Sequence, residues 1–136
     1  MNTKSLFISH SWRYNGQYVN LINLLTQRGY FSFRDYSVPK DDPIRIQGKS
    51  AYEKKLREGI VNQMRFCDVV ILIAGKYVTY SESIQMELDI AKEMGKPILA
   101  IRPFGASQTT SFAELYADEI VNWNSDSIVE AIRRLS

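Results

Sequence analysis

The stretch Asp68-Val69-Val70-Ile71-Leu72-Ile73-Ala74 is the most hydrophobic segment of the chain, and it decides the fold. Its six apolar residues follow one another without a polar interruption, and four of them are β-branched. A short continuous run of this kind is typical of a strand that is covered on both faces, as in the middle of a parallel sheet. It is also the longest unbroken apolar run, and it is much too short to cross a bilayer.

Shorter apolar runs and longer helical patterns alternate on both sides of this central strand. Further strands are predicted at Leu6-Phe7-Ile8, Tyr30-Phe31-Ser32-Phe33, Pro97-Ile98-Leu99-Ala100-Ile101 and Ile120-Val121. Helical spacing of apolar residues marks the segments 18–25, 52–64, 80–95, 112–116 and 128–135. Residues 35–49 contain two prolines and a glycine, which predicts a long loop.

This alternation predicts an α/β fold with a parallel sheet and helices on both faces. Right-handed crossovers and a length of 136 residues favour a flavodoxin-like three-layer sandwich, with five parallel strands in the order 2-1-3-4-5. The length suits a single domain that covers residues 1–136. Such sheets bind ligands beyond the carboxyl ends of their strands, where the strand order reverses. Here that crevice lies between the first and third strands.

The strand ends that meet at this crevice carry polar and aromatic side chains. The candidate substrate-binding residues are Ser9, His10, Ser11 and Trp12 after the first strand, Arg34, Asp35 and Tyr36 after the second, and Lys76 and Ser81 after the third. Several also have a purely structural interpretation. His10 is able to cap a strand end, Trp12 to pack half-buried, and Ser81 to cap the helix that follows. Arg34 and Asp35 also fit an exposed ion pair of little energetic value.

One carboxylate is misplaced for a helix that only packs on a core. When residues 80–95 are wound at about 100° per residue, Gln85, Asp89, Lys92 and Glu93 form a solvated face. Glu87 instead falls inside the apolar arc, between the directions of Met94 and Ala91. It lies in the second turn of this helix, close to the predicted crevice. The alternatives are a boundary residue whose head group reaches water, or one half of a buried ion pair.

Composition excludes several classes of function. The net charge of +2 and the scattered basic residues do not predict nucleic-acid binding. Cys67 is the only cysteine and His10 the only histidine, so we expect neither an internal disulfide nor a metal site. The amino-terminal apolar run is too short for a signal peptide. We therefore expect a cytoplasmic protein that has no membrane segment.

The chemistry that suits a lone carboxylate in a partly apolar crevice is cleavage of an N-glycosidic bond. That reaction passes through an oxocarbenium-like sugar, which a glutamate is able to stabilise, hydrogen-bond or attack. NAD fits, because the ring nitrogen of its nicotinamide is already cationic and leaves readily. The chain has no glycine-rich dinucleotide loop and no Walker motif, and it lacks the acidic residues of receiver domains. A triad of Ser9 or Ser11, His10 and Asp35 is disfavoured, since adjacent residues at a strand end point apart.

Four motifs, in order along nearly the whole chain, resemble those of the TIR-domain family. Leu6-Phe7-Ile8-Ser9-His10-Ser11 is similar to the family's first box. Arg34-Asp35-Tyr36-Ser37-Val38-Pro39 is similar to the second box, which opens the BB loop. Ser81-x-Ser83-x-x-x-Glu87 resembles the Ser-x-Trp-x-x-x-Glu stretch of enzymatic members, with Ser83 at the tryptophan position. Gly95-Lys96-Pro97-Ile98 matches the segment that follows.

The resemblance is strongest to stand-alone prokaryotic TIR-like proteins, including those of Thoeris antiphage defence. It implies that Glu87 is catalytic and that NAD is the substrate, with no other cofactor. It further implies a cyclic ADP-ribose isomer or an ADP-ribose conjugate as a signal for a separate effector protein, and TIR–TIR self-association. Two alternatives remain, a non-catalytic TIR interaction module and an enzyme that resembles nucleoside deoxyribosyltransferases.

Overall fold

The computed structural model of the chain describes residues 3–9, 16–37, 49–74, 82–102 and 111–136. The strands are β1 (Lys4–Ser9), β2 (Phe33–Asp35), β3 (Val69–Ile73), β4 (Ile98–Ile101) and β5 (Glu119–Val121). The helices are α1 (Gly16–Arg28), α2 (Lys49–Met64), α3 (Glu82–Glu93), α4 (Ser111–Tyr116) and α5 (Ser125–Leu135). Strand and helix alternate through these ranges, as the sequence predicts.

The five strands form one parallel sheet in the order β2-β1-β3-β4-β5, which confirms the predicted fold class. The strand order reverses at β1, because the chain first continues to β2 on one side and later returns to β3 on the other. Ser9 at the end of β1 lies beside Leu72 of β3, and Leu72 lies beside Ala100 of β4. The carboxyl ends of β1 and β3 therefore frame the crevice where sheets of this order bind ligands.

Alternation of side chains along the strands divides the core between the two faces of the sheet. On one face, Phe7, Val70, Leu72, Ile98 and Ala100 pack with residues of α2 and α3, among them Ile60, Met64, Ile84, Leu88 and Ala91. On the other, Leu6, Ile8, Val69, Ile71, Ile73, Leu99 and Ile101 pack with Leu21 and Leu25 of α1 and with Ile128, Val129 and Ile132 of α5. Every residue of β3 is at most 1% exposed, so the prediction of a strand covered on both faces is confirmed.

The second strand lies later in the chain than the sequence pattern predicts. The pattern indicates a strand over residues 30–33, whereas β2 runs from Phe33 to Asp35. Helix α1 ends at Arg28, and both Gly29 (φ 74°) and Tyr30 (φ 57°) are left-handed. Two successive residues with positive φ turn the chain sharply, so it becomes extended only after them. The alternating aromatics are nevertheless placed inward, because Phe31 and Phe33 both pack on the α1 side.

Helix α3 is held at both its apolar face and its carboxyl end. Ile84, Leu88, Ile90 and Ala91 are at most 1% exposed. At the end of the helix Gly95 has φ 69°, Lys96 N donates to Ala91 O at 2.9 Å, and Gly95 N donates to Lys92 O at 3.2 Å. This pair of bonds is the Schellman arrangement that stops a helix. The buried residues fix which face of α3 meets the sheet, and the cap fixes where the helix ends.

Most of the predicted loop over residues 35–49 lies outside the described ranges, although α2 already begins at Lys49. Across the residues that are described, no helix has both the length and the apolar character that a membrane span needs.

Candidate functional site

Ser9 and Glu87 meet on the α3 side of the sheet, at the carboxyl end of β1. Ser9 is the last residue of β1, and it shares its face with Phe7 because residues two apart in a strand point the same way. Phe7 packs in the α2 and α3 core, so the Ser9 side chain also points toward α3. The Ser9 hydroxyl donates to Oε1 of Glu87 at 3.5 Å, which is a long hydrogen bond. Ser9 is fully buried.

The carboxyl group of Glu87 is buried, and no cation of the described ranges accompanies it. Glu87 keeps only 9% of its surface exposed, and its helical neighbours Leu88, Ile90 and Ala91 have none. Within the described ranges, no lysine or arginine forms an ion pair with it. Neither structural alternative, a head group in water or a buried ion pair, matches what these ranges show.

Burial raises the pKa of the Glu87 carboxyl from 4.5 to about 8, and the hydrogen bond from Ser9 lowers it in part. The physical cause is the loss of water around the ionised form, which the single long hydrogen bond does not replace. A carboxyl group that titrates near neutral pH in a crevice is typical of a catalytic group. The Glu87 carboxyl group is therefore able to exchange a proton near neutral pH. It is also able to ionise when a cationic ligand binds beside it, and water then screens its negative charge only weakly.

Asp35 is the centre of a hydrogen-bond network that joins β2 to its neighbours. It accepts a hydrogen bond from the backbone N of Ser37 at 2.9 Å, and it also accepts from the hydroxyls of Ser37 and Tyr18. The Ser37 hydroxyl oxygen in turn accepts from the backbone N of Ile8 at 3.0 Å. Burial and the bond to Asp35 raise the pKa of the Tyr18 phenol. These contacts hold the end of β2 against β1 and α1.

Tyr36 and Arg34 lie further from the carboxyl edge than Ser9 does. Asp35 is in register with Leu6, and Tyr36 N donates to Leu6 O at 2.7 Å, so this segment lies about three residues below the end of β1. The Tyr36 ring stacks on Phe66, with centroids 5.8 Å apart. Arg34 is exposed. The described contacts of Asp35 and Tyr36 therefore do not lead to Glu87, and a role for Arg34, Asp35 or Tyr36 in substrate binding stays a prediction.

The remaining predicted binding residues lie outside the described ranges: His10, Ser11, Trp12, Lys76 and Ser81. Their proposed roles also stay predictions. In the part of the chain that is described, no three His, Cys, Asp or Glu side chains are grouped as metal ligands.

Two residues of the predicted solvated face of α3 are instead engaged with α4. Gln85 and Asp89 are only partly exposed, since Tyr116 of α4 packs against them. The Tyr116 hydroxyl donates to Oδ1 of Asp89 at 2.6 Å, and Gln85 hydrogen-bonds both partners. Lys92 and Glu93 are exposed, as expected. The helix period locates the polar face correctly, but it does not show that another helix covers half of it.

Arg102 is a residue that sequence reasoning missed. It directly follows β4 at the carboxyl edge, and its Nη1 donates to Oδ1 of Asn122 at 3.0 Å. Its Nε is shielded from water and has no hydrogen-bond acceptor within the described ranges. A buried donor without an acceptor costs roughly 1–3 kcal/mol. Its position after a buried strand was a usable signal, but the prediction took in only the ends of the first three strands.

Two solved structures are similar to this chain over nearly its whole length. A conserved protein from Enterococcus faecalis V583 has a TM-score of 0.55 and 13% sequence identity, with 98% of this chain and 99% of that one covered. The Clostridium botulinum CMP N-glycosidase BcmB has a TM-score of 0.50 and 17% identity, with 97% and 98% covered. At these identities the likeness shows a shared fold. No curated protein sequence matches the chain.

The sequence itself matches one protein family. The matched family is described as Thoeris protein ThsB, TIR-like domain, and the match covers residues 7–108, about three quarters of the chain. These residues include Ser9, Glu87 and, apart from Leu6, the segments that resemble motifs of the family. The chain therefore belongs to the family of the Thoeris protein ThsB TIR-like domain.

Proposed function

We propose that this TIR-like protein cleaves NAD and makes an ADP-ribose signal in antiphage defence. The signal is a cyclic ADP-ribose isomer or an ADP-ribose conjugate, and it acts on a separate effector protein. NAD is the substrate, and the reaction uses no other cofactor. The observation that carries the proposal is the Glu87 carboxyl, which is buried at the carboxyl end of β1 and pairs with no cation of the described ranges.

The proposed reaction breaks the bond between C1′ of the ribose and the nicotinamide nitrogen. The bonding electron pair leaves with nicotinamide, which becomes neutral, and positive charge develops on the ribose. A Glu87 carboxylate beside that ribose stabilises the charge, or bonds to C1′ and is later displaced. Attack on C1′ by a nucleophile within the ADP-ribose closes a ring, whereas attack by another acceptor forms a conjugate. The attacking group releases one proton.

The electrostatic setting of Glu87 favours a cationic substrate. In the free protein, burial keeps the carboxyl largely protonated at neutral pH, because its pKa is raised to about 8. The positive nicotinamide ring lowers that pKa again and favours ionisation when the substrate is in place. Burial of the carboxyl group then strengthens the attraction between carboxylate and ribosyl cation, since water screens it little.

A related chemistry is named for one protein of this fold. The Clostridium botulinum protein is a CMP N-glycosidase, an enzyme named for cleaving an N-glycosidic bond of a nucleotide. This supports the proposal as a precedent for N-glycosidic cleavage on the fold. It does not define the substrate, which we infer from the carboxyl group and from the Thoeris family.

The test measures the release of nicotinamide from NAD by the purified protein. Chromatography detects the nicotinamide, and mass spectrometry identifies the nucleotide product. Glu87→Gln removes the ionisable group and nearly preserves its shape, and we expect it to abolish release while the protein stays folded. Glu93→Gln is the matched control, because it makes the same change on an exposed residue of the same helix. Equal release by Glu87→Gln and the unmodified protein would contradict the mechanism.

The same assay separates the alternatives. Turnover of deoxyribonucleosides without turnover of NAD identifies an enzyme of the deoxyribosyltransferase kind. Absence of any turnover, with and without extract from phage-infected cells as a trigger, favours a non-catalytic TIR module that assembles with partners. The exposed ring of Phe66, stacked on Tyr36 at the end of edge strand β2, is the feature that favours this second function.

A further inference from the structure

We propose that Arg102, held by Asn122, is an anion subsite that takes a phosphate group of the nucleotide substrate. The anion-binding character follows from the geometry of these two side chains. The identification of the anion as a nucleotide phosphate rests on the proposed function.

Both residues lie at the carboxyl edge, on the same side of the sheet as Glu87. Arg102 N donates to Val121 O at 2.8 Å, so the pairing of β4 with β5 extends one residue beyond Ile101. Arg102 therefore shares its face with Ala100, and Asn122 shares its face with Ile120. Ala100 and Ile120 both pack in the core that contains α3. This alternation places the two side chains on the α3 side of the sheet.

The guanidinium of Arg102 is hydrogen-bonded along one edge and has no partner among the described residues along another. Nη1 donates to Oδ1 of Asn122, which is a neutral acceptor. Nε has no acceptor within the described ranges. Nε–H and one N–H of Nη2 point in parallel along one edge of the planar group, which is the fork that binds phosphate or carboxylate in two-point contact. The Asn122 bond holds the guanidinium by its Nη1 edge, while the Nε edge stays unpaired among the described residues.

The charge of Arg102 is not neutralised by any described side chain. No carboxylate forms an ion pair with it in the described ranges, although acidic side chains pair with Arg28, Arg57, Lys92 and Arg134. Arg102 is also only partly exposed, so its positive charge is less screened by water than that of a surface residue. A partly buried cation of this kind at the ligand-binding edge of a parallel sheet favours an anionic ligand.

The distance between Arg102 and the Ser9 and Glu87 site fits a single extended nucleotide that contacts both. Ser9 is in register with Leu72, and Leu72 with Ala100, so Arg102 lies two strands across and two residues further along. Standard strand spacings put the Cα atoms of Ser9 and Arg102 about 12 Å apart. A dinucleotide whose ribose lies at Glu87 is able to place its phosphates within reach of the long arginine side chain. Because Nε is shielded from water, binding requires a side-chain rotation that opens the fork.

The experiment measures binding and turnover separately. Calorimetry with ADP-ribose, and with inorganic pyrophosphate as a probe without sugar, is carried out on the unmodified protein, Arg102→Gln, Arg102→Lys and Asn122→Ala. Lys55→Gln is the matched control, because it removes one positive charge from an exposed position of α2. Thermal melting establishes that each variant is folded. Arg102→Lys keeps the charge and removes only the fork, so it keeps the proposal testable if Arg102→Gln does not fold.

We expect Arg102→Gln to weaken ADP-ribose binding by roughly tenfold or more, which is the effect of losing a two-point charged contact. Arg102→Lys should weaken it less, Asn122→Ala less again, and Lys55→Gln not at all. In turnover, the KM for NAD should rise with little change in kcat, while cleavage of nicotinamide riboside, which has no phosphate, should be unaffected. The subsite would be overturned if Arg102→Gln and Arg102→Lys both bound ADP-ribose and pyrophosphate as tightly as Lys55→Gln does.

The two proposals fail in different ways. If the unmodified protein cleaves NAD and the Arg102 variants cleave it with an unchanged KM, the anion subsite is wrong and the proposed function stands. If the protein does not cleave NAD but binds ADP-ribose and pyrophosphate in an Arg102-dependent manner, the subsite stands and the proposed function is wrong.

Discussion

The hydroxyl of Ser9 lies 3.5 Å from Oε1 of Glu87, although the two residues are 78 positions apart in the chain. Ser9 ends the first strand, and Glu87 lies in the second turn of the helix that follows the third strand. The bond therefore crosses the point where the strand order of the sheet reverses. Among the described residues it is the one hydrogen bond of the Glu87 carboxyl group, which is buried.

Replacing the carboxyl group of Glu87 should stabilise the protein at alkaline pH. The pKa of Glu87 is about 8 in the folded protein and near 4.5 when exposed, so the folded state binds the proton more tightly. Its contribution to stability is complete below about pH 4.5, decreases as the pH rises toward 8, and levels off above. The decrease is on the order of 5 kcal/mol if the shift is fully expressed.

Chemical denaturation of the unmodified protein and of Glu87→Gln, from about pH 5 to about pH 9, measures this effect. We expect the free energy of unfolding of Glu87→Gln to exceed that of the unmodified protein increasingly as the pH rises. Glu93→Gln should show no such trend. A constant difference between Glu87→Gln and the unmodified protein across this range would mean that Glu87 titrates as an exposed glutamate.

The pH dependence of NAD cleavage should report the same group. The mechanism needs the ionised carboxylate, so kcat/KM should rise with pH with a midpoint near 8, the pKa of Glu87 in the free protein. The midpoint of kcat should be lower, because the cationic ring of bound NAD favours ionisation. Nicotinamide release at saturating and at low NAD concentrations separates the two profiles. Activity that is independent of pH, or that falls as the pH rises toward 8, is incompatible with this role.

Ser9→Ala should raise the pKa of Glu87 further. The hydrogen bond from Ser9 favours the ionised carboxyl, and its removal leaves burial unopposed. The midpoint of kcat/KM should then move to higher pH, and activity at neutral pH should fall by less than about tenfold, because the bond is long and uncharged donors contribute modestly. Ser136→Ala, at an exposed position after α5, is the control. A midpoint that moves downward would show that Ser9 opposes ionisation.

Asp35→Ala should act mainly on stability. The substitution removes the acceptor for the Ser37 amide and for the hydroxyls of Ser37 and Tyr18, which together hold the end of β2. We expect the free energy of unfolding to fall by roughly 1–3 kcal/mol, and Tyr18→Phe to reproduce part of this loss. Denaturant titration measures both variants, with Glu130→Ala as an exposed control. A raised KM for NAD without lost stability would instead support the predicted role of Asp35 in substrate binding.

The fold was predictable because its determinants are local and repeated. The six-residue apolar run that contains β3, the helical periods on either side and the glycines after α1 and α3 each depend on neighbours in sequence. Even the misplacement of Glu87 is a property of one helix. The prediction was wrong at the start of β2, where Tyr30 adopts a left-handed conformation that is uncommon for a bulky residue.

The site was predictable only in part, because its residues interact across the sheet. The end of β1 was expected to contribute Ser9, yet nothing local shows that its hydroxyl reaches Glu87. The described contacts of Asp35, with Tyr18 and Ser37, lie at the edge of the sheet, and its role in substrate binding stays a prediction. Arg102 was not predicted, because only the ends of the first three strands were considered, and its geometry depends on Asn122, twenty residues later.

The sequence by itself determined the alternation of strands and helices, the central position of residues 69–73 and the inward direction of Glu87. Each follows from the period of apolar residues and the stereochemistry of a short segment. Tertiary structure alone decided that Glu87 lacks a cationic partner in the described ranges, that Ser9 is its donor and that burial raises its pKa. These properties depend on which parts of the chain shield the Glu87 carboxyl group from water. That shielding exists only once α3 packs across β1 and β3.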